Sequence, residues 1–181
     1  LKNSALSSQS VRRLLQQIKQ ILLLTPTFIL DVADELPDCF LDKVRAAVKA
    51  EKPDALLLGE VWEDASNKIS YSRRRKYFSE SELDSVMNYP FKEAVITYLA
   101  DDDAEGFIER VLTITENYPK EIVDNLMNPL GTHDTMRIIT RLSGENCADK
   151  DRAWQECYTL SADTRKRCIN LFKIAAAIQY T

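Results

Sequence analysis

Two stretches decide the reading of this chain: Phe28-Ile29-Leu30-Asp31-Val32 and Ala55-Leu56-Leu57-Leu58-Gly59-Glu60-Val61. Each is a short, continuously apolar run that ends on an acid, which is how a strand buried on both faces reads. Between them Phe40, Leu41, Val44, Ala47 and Val48 recur at helical spacing up to Glu51, and Lys52-Pro53-Asp54 stops the pattern. A strand, a helix and a strand in that order form a βαβ unit, and its strands run parallel because the helix crosses over between them.

Working outward, the alternation continues. Residues 83–89 read as a short strand closed by Pro90, and residues 91–99 as a helix. Helical faces follow at residues 107–114 and 122–127, and a fourth strand is expected at residues 126–131, ending at Thr132-His133-Asp134. Residues 136–142 and 163–179 read as helices, residues 71–78 as charged and weakly helical, and residues 143–161 as a polar excursion without a period. Toward the N-terminus, Val11, Leu14, Leu15, Ile18, Ile21 and Leu22 mark an amphipathic helix that Pro26 separates from the first strand. The expected class is therefore α/β with a parallel sheet. Either an open doubly wound sheet or part of a (β/α)8 barrel fits the alternation, and the absence of G-x-G-x-x-G and of a P-loop tips the balance to the barrel.

Composition narrows the function classes. The chain has 181 residues, 45% hydrophobic and 29% charged, with 4 Gly and 6 Pro, which suits an ordinary globular domain. A net charge of -4 leaves no basic face for phosphate backbones, and the run Arg73-Arg74-Arg75-Lys76 is short, so nucleic acid is not an expected partner. Cys39, Cys147, Cys157 and Cys168 have no C-x-x-C spacing. They read as reduced thiols in a cytoplasmic protein, with secretion and a Cys147–Cys157 or Cys157–Cys168 bridge left open. Ile21-Leu22-Leu23-Leu24 is too short to span a bilayer, so no membrane is expected as a partner. Because it opens on Leu1 and stops at Gln179-Tyr180-Thr181, the chain is expected to be an internal piece of something longer.

Asp31, Glu60 and Asp134 each fall at the C-terminal end of an expected parallel strand, where both architectures build their sites. Neighbouring strands lie about 4.8 Å apart. Two carboxyl groups held at about 5 to 5.5 Å suit a retaining glycosidase, one as nucleophile and the other as acid/base. Read one at a time, such acids are as readily helix N-caps or loop residues. Trp62, two positions after Glu60, adds an aromatic face suited to a sugar, or else packs under its loop. His133 taken alone is as often a packing residue as a ligand.

Together these segments resemble a known family. Leu30-Asp31-Val32-Ala33-Asp34-Glu35-Leu36-Pro37, Leu57-Leu58-Gly59-Glu60-Val61-Trp62-Glu63-Asp64 and Leu130-Gly131-Thr132-His133-Asp134-Thr135 look like three short regions of the α-amylase family of glycoside hydrolases. Leu83-Asp84-Ser85-Val86-Met87-Asn88-Tyr89-Pro90-Phe91 is similar to a strand of its cyclomaltodextrinase and neopullulanase branch.

The resemblance implies a partial (β/α)8 TIM barrel, about strands four to seven with their helices, over residues 28–181, with residues 1–27 a poorly matching N-terminal helix. It implies Asp31 as nucleophile, Glu60 as general acid/base, Asp134 with His133 on sugar hydroxyls, and Trp62 beside the substrate. The implied function is hydrolysis of α-glucosidic bonds in α-glucan oligosaccharides of the maltodextrin or starch type, by retaining double displacement. No cofactor or metal is expected of this chain, and calcium stays open for the intact enzyme, since no dense cluster of oxygen ligands is evident.

One departure matters. The family places an Arg two positions before its nucleophile, where this chain has Ile29. An apolar neighbour favours a protonated Asp31, so impaired hydrolysis is expected. The alternative is an inactive barrel remnant serving as a carbohydrate-binding or structural module. Four of eight strands would leave two open edges, so self-association through them is a further expectation.

Overall fold

The computed structural model describes residues 13, 16–17, 25–79, 82–145 and 149–181. The expected helix over residues 11–22 lies mostly outside the described residues, as does Cys147. The chain divides into two compact units. One comprises Leu1–Met87 with Lys120–Leu126, the other Asn88–Pro119 with Met127–Thr181.

The first unit is built on a parallel sheet. Strands β1 (Thr27–Leu30), β2 (Leu56–Gly59) and β5 (Ser85–Val86) pair in the order β1-β2-β5, with Ile29 opposite Leu58 and Leu58 opposite Ser85. Helix α1 (Asp38–Glu51) makes the crossover from β1 to β2. Its Leu41, Val44 and Val48 recur on one face and are buried, and together with Leu30, Leu57, Val61 and Val86 they belong to the buried apolar core of this unit. Asp38 sits in the first turn and Lys49 in the last, each matching the helix dipole. The helix ends at Lys52, which Pro53 forces into an extended conformation (φ -146°, ψ 94°). The βαβ unit read from the sequence is present.

Residues 71–78 differ from the expected weak helix. Strands β3 (Ile69–Ser70) and β4 (Arg73–Arg74) form an antiparallel ribbon, with Ile69 opposite Arg74 and Ser70 opposite Arg73. The turn between them places Tyr71 (φ 51°) and Ser72 (φ 61°) in the left-handed region. That geometry normally calls for Asn or Gly, so the usual sequence signal for a hairpin is missing. A one-turn helix, α4 (Lys120–Val123), completes the unit, and Ser85 Oγ donates to the carbonyl of Ile122 at 3.0 Å.

The second unit is helical: α2 (Tyr89–Asp101), α3 (Ala104–Asn117), α5 (Ile138–Arg141), α6 (Arg152–Cys157) and α7 (Ala162–Gln179). Pro90 lies inside the first turn of α2 instead of closing the preceding strand. It has no N–H to leave unsatisfied there, and Asn88 caps the turn by accepting from Phe91 N at 3.2 Å. Val95, Leu130 and Ala175 form the core, with Phe91, Leu99, Phe107, Ile138, Ala176 and Ile178 packed against it. The strand expected at residues 126–131 is reduced to one bridging residue, Met127, whose carbonyl accepts from Asn88 N at 2.7 Å. Pro129 has no N–H to extend a ladder, and the Asn128 side chain is taken up by Asn88 Nδ2 at 2.9 Å.

Cys39, Cys157 and Cys168 are free thiols. Among the described residues, no helix is long and apolar enough to cross a membrane.

Candidate active site

Parallel pairing fixes where the first two candidate acids emerge. Leu30 stands opposite Gly59 in the register, so Asp31 and Glu60 leave β1 and β2 at equivalent positions and on the same side of the sheet. The pairing continues past the strand ends, because Glu60 N donates to Leu30 O at 2.8 Å and Ala33 N donates to Glu60 O at 3.1 Å. The Glu60 side chain then reaches across. Its Oε2 accepts from Val32 N at 3.0 Å, one peptide beyond Asp31. Glu60 is 6% exposed, whereas Asp31 is open to solvent. Two carboxyl groups leaving adjacent strands, one sheltered and the other exposed, can serve double displacement at a single bond.

Val32 occupies the left-handed region at φ 50°, ψ 48°. For a β-branched residue this is a costly conformation, on the order of 1 to 3 kcal/mol. The next residues hold it in place. Ala33–Glu35 form a 3-10 turn whose carbonyls are gripped from the β3–β4 ribbon. Arg75 donates through Nη1 to Asp34 O (3.1 Å) and through Nη2 to Leu36 O (2.6 Å) and Ala33 O (3.5 Å). Tyr77 OH donates to Asp34 Oδ1 at 2.5 Å, and burial together with this bond pushes the phenol well above its ordinary range. Lys68 Nζ lies 3.2 Å from Asp34 Oδ2 and also pairs with Glu63. Burial opposes the Lys68 charge, yet the two carboxylates outweigh it and raise its pKa.

Val32 and Arg75 were not legible as site residues. A valine gives no sign of a left-handed backbone, and Arg75 sits in what reads as a solvated basic run. Within that run Arg73 and Arg74 are exposed while Arg75 is 8% exposed. Two other positions singled out in this unit are exposed. Trp62 is 46% exposed, and Ile29 is 45% exposed on the strand that leads to Asp31.

His133 and Asp134 belong to the second unit. They lie in a turn closed by Thr132 N donating to Thr135 Oγ1 at 2.9 Å, and Tyr89 OH donates to Thr132 Oγ1 at 3.5 Å. His133 Nε2 is 3.2 Å from Asp134 Oδ2, and both side chains are exposed.

Residues 34–164 match the model of the alpha amylase catalytic domain. The chain belongs to the alpha-amylase family. Among curated relatives of this family, the cyclomaltodextrinase of Geobacillus thermopakistaniensis is 37% identical over 118 residues, covering 64% of this chain and 18% of that protein. Neopullulanase 2 of Thermoactinomyces vulgaris is 38% identical over 117 residues, again 64% of this chain and 18% of the relative. A solved cyclomaltodextrinase superposes with a TM-score of 0.63 at 30% identity, over 76% of this chain and 23% of the other. The chain thus spans about a fifth of the length of the curated relatives it matches. Its parallel strands and helices are part of a (β/α)8 barrel, and the rim that carries Asp31 and Glu60 is the end at which such barrels build their sites.

Proposed function

We propose that this chain carries the acid and the nucleophile of a retaining glycoside hydrolase acting on α-glucosidic bonds of maltodextrin or starch-type substrates. The observation that carries the reading is the Glu60 Oε2 to Val32 N hydrogen bond, which holds the Glu60 side chain against the peptide next to Asp31. In the first step the Asp31 carboxylate attacks the anomeric carbon, and the glycosidic C–O bond breaks as the Glu60 carboxyl delivers its proton to the leaving oxygen. In the second, the Glu60 carboxylate takes a proton from water, whose oxygen displaces Asp31 from the sugar. Asp134 with His133 would hold sugar hydroxyls, and Trp62 would lay its exposed ring against a sugar face. The names of the relatives, a cyclomaltodextrinase and a neopullulanase, support an α-glucan oligosaccharide as substrate.

A second reading rests on Ile29. No guanidinium stands two positions before Asp31 to orient it and keep it ionised, which favours a carbohydrate-binding or structural remnant. Release of chromophore from a chromogenic maltoside separates the two. Release that Asp31→Asn abolishes supports the hydrolase, and its absence from the wild type supports the remnant. Ile29→Arg is expected to raise turnover at least tenfold. No gain and no change in the pH profile would remove Ile29 as the cause of impairment. Self-association through the outer edge of β1 is the accompanying expectation, and sedimentation of the chain tests it.

A further inference from the structure

Arg75 is, with Lys92, one of two buried basic residues among the described residues, and hydrolysis as proposed does not use it. It is anchored twice. Its backbone N donates to Lys68 O at 2.8 Å, which extends the β3–β4 pairing, and its guanidinium lies over the Tyr77 ring at 4.9 Å with Nε 3.0 Å from Asp38 Oδ1. So fixed, the fork spends Nη1 and Nη2 on the carbonyls of Ala33, Asp34 and Leu36. Those carbonyls define the short turn immediately after Val32. Val32 N and Ala33 N are in turn the donors to Glu60 Oε2 and Glu60 O. A planar guanidinium suits this task, since its fixed donors can serve several carbonyls from one position, whereas an ammonium acts from a single point.

We infer that Arg75 is a positioning residue: it clamps the turn at residues 33–36, keeps Val32 in its left-handed conformation, and thereby aims the Glu60 carboxyl. As a contribution to catalysis this rests on the hydrolase reading, while the clamp itself does not.

The experiment compares amide hydrogen exchange in the wild-type chain, Arg75→Gln and Arg75→Lys, residue by residue. Leu57 N, which donates to Asp84 Oδ2 at the opposite end of β2, serves as the internal control. The Val32 and Ala33 amides are expected to exchange at least tenfold faster in both variants, with Leu57 unchanged. Where Arg75→Gln does not fold, Arg75→Lys alone decides, because it keeps the charge and loses the fork. Unchanged exchange at Val32 and Ala33, or equal acceleration at Leu57, overturns the inference by making Arg75 either irrelevant to the turn or a general stabiliser. On a chromogenic maltoside the folded variant is expected to lose at least tenfold in kcat with KM within twofold, and to recover part of it in millimolar guanidinium. Loss in KM alone, or no recovery, contradicts the positioning role. A wild type that releases no chromophore would sink the hydrolase reading and leave the exchange comparison to decide the clamp.

Discussion

The two ends of the parallel sheet handle their carboxylates in opposite ways. Where β5 begins, Asp84 is saturated: Oδ2 accepts from Leu57 N at 2.8 Å, Oδ1 accepts from Arg45 Nη1 at 2.8 Å, and Lys49 Nζ lies 2.8 Å from Oδ2. Where β1 and β2 end, Asp31 is exposed and Glu60 takes a backbone N–H from a strained residue. Burial alone would raise the Asp84 pKa, but Lys49, the Leu57 N–H and Arg45 outweigh it and hold the carboxyl below the usual carboxylate range. Both ends place acids beside strands of the same sheet. One ties α1 to the sheet, and the other leaves Asp31 exposed at the rim where barrels of this fold build their sites.

Substitutions at either end should separate the two roles. Glu60→Gln gives the largest effect. It keeps an oxygen for the Val32 N–H but cannot donate a general-acid proton, so maltoside turnover should fall about 10² to 10⁴-fold with little change in thermal midpoint. A loss of stability with unchanged turnover of the surviving protein would reverse the assignment. Asp84→Ala should do the opposite. It strands Arg45 and Lys49 and leaves Leu57 N without its acceptor, at a cost of about 2 to 3 kcal/mol by denaturant unfolding. KM and kcat of the folded fraction should stay within twofold.

Gly59→Ala probes the strand that joins the two ends. A Cβ there would fall 2.5 Å from Leu83 Cδ1 and 3.2 Å from Ala33 Cβ, and Leu83 is itself buried. The expected destabilisation is about 1 to 2 kcal/mol, because the neighbouring side chain must move within a packed interior. Unfolding free energies indistinguishable from wild type would mean that this packing is looser than the distances imply.

The smallest effect is the pH dependence at the Asp84 end. A carboxyl whose folded-state pKa is lowered adds stability that is complete above the unfolded value of about 4 and is lost as pH falls through the folded value. Denaturation midpoints measured from pH 6 down to pH 3 should therefore fall less steeply in Asp84→Asn than in the wild type, with the difference confined to the region below about pH 4. Parallel curves would show that Asp84 keeps an ordinary affinity for its proton.

Much of the functional end was legible because hydrophobic runs with terminal acids and an intervening amphipathic helix leave one parallel topology. Leu30-Asp31 and Gly59-Glu60 could be placed on one rim before any coordinates. The β3–β4 ribbon could not, since a turn of Tyr71 and Ser72 carries none of the glycine or asparagine that positive φ values favour. Reading it as weak helix also hid Arg75, whose burial comes from its contacts with the turn at residues 33–36, Tyr77 and Asp38 and not from the composition of the run Arg73-Arg74-Arg75-Lys76. Similarly, Pro90 reads equally as a strand stop and as the first turn of a helix. The Asn88 cap decides between them.

The most direct test of the paired carboxylates is covalent trapping. The chain is incubated with an activated fluoro-maltosyl substrate that slows the second displacement, then digested and sequenced by mass spectrometry. One glycosyl adduct is predicted, carried by the Asp31 carboxyl and absent from Asp31→Asn. An adduct on a different side chain, or an unmodified chain in a preparation that still cleaves the maltoside, would contradict the pairing of Asp31 with Glu60.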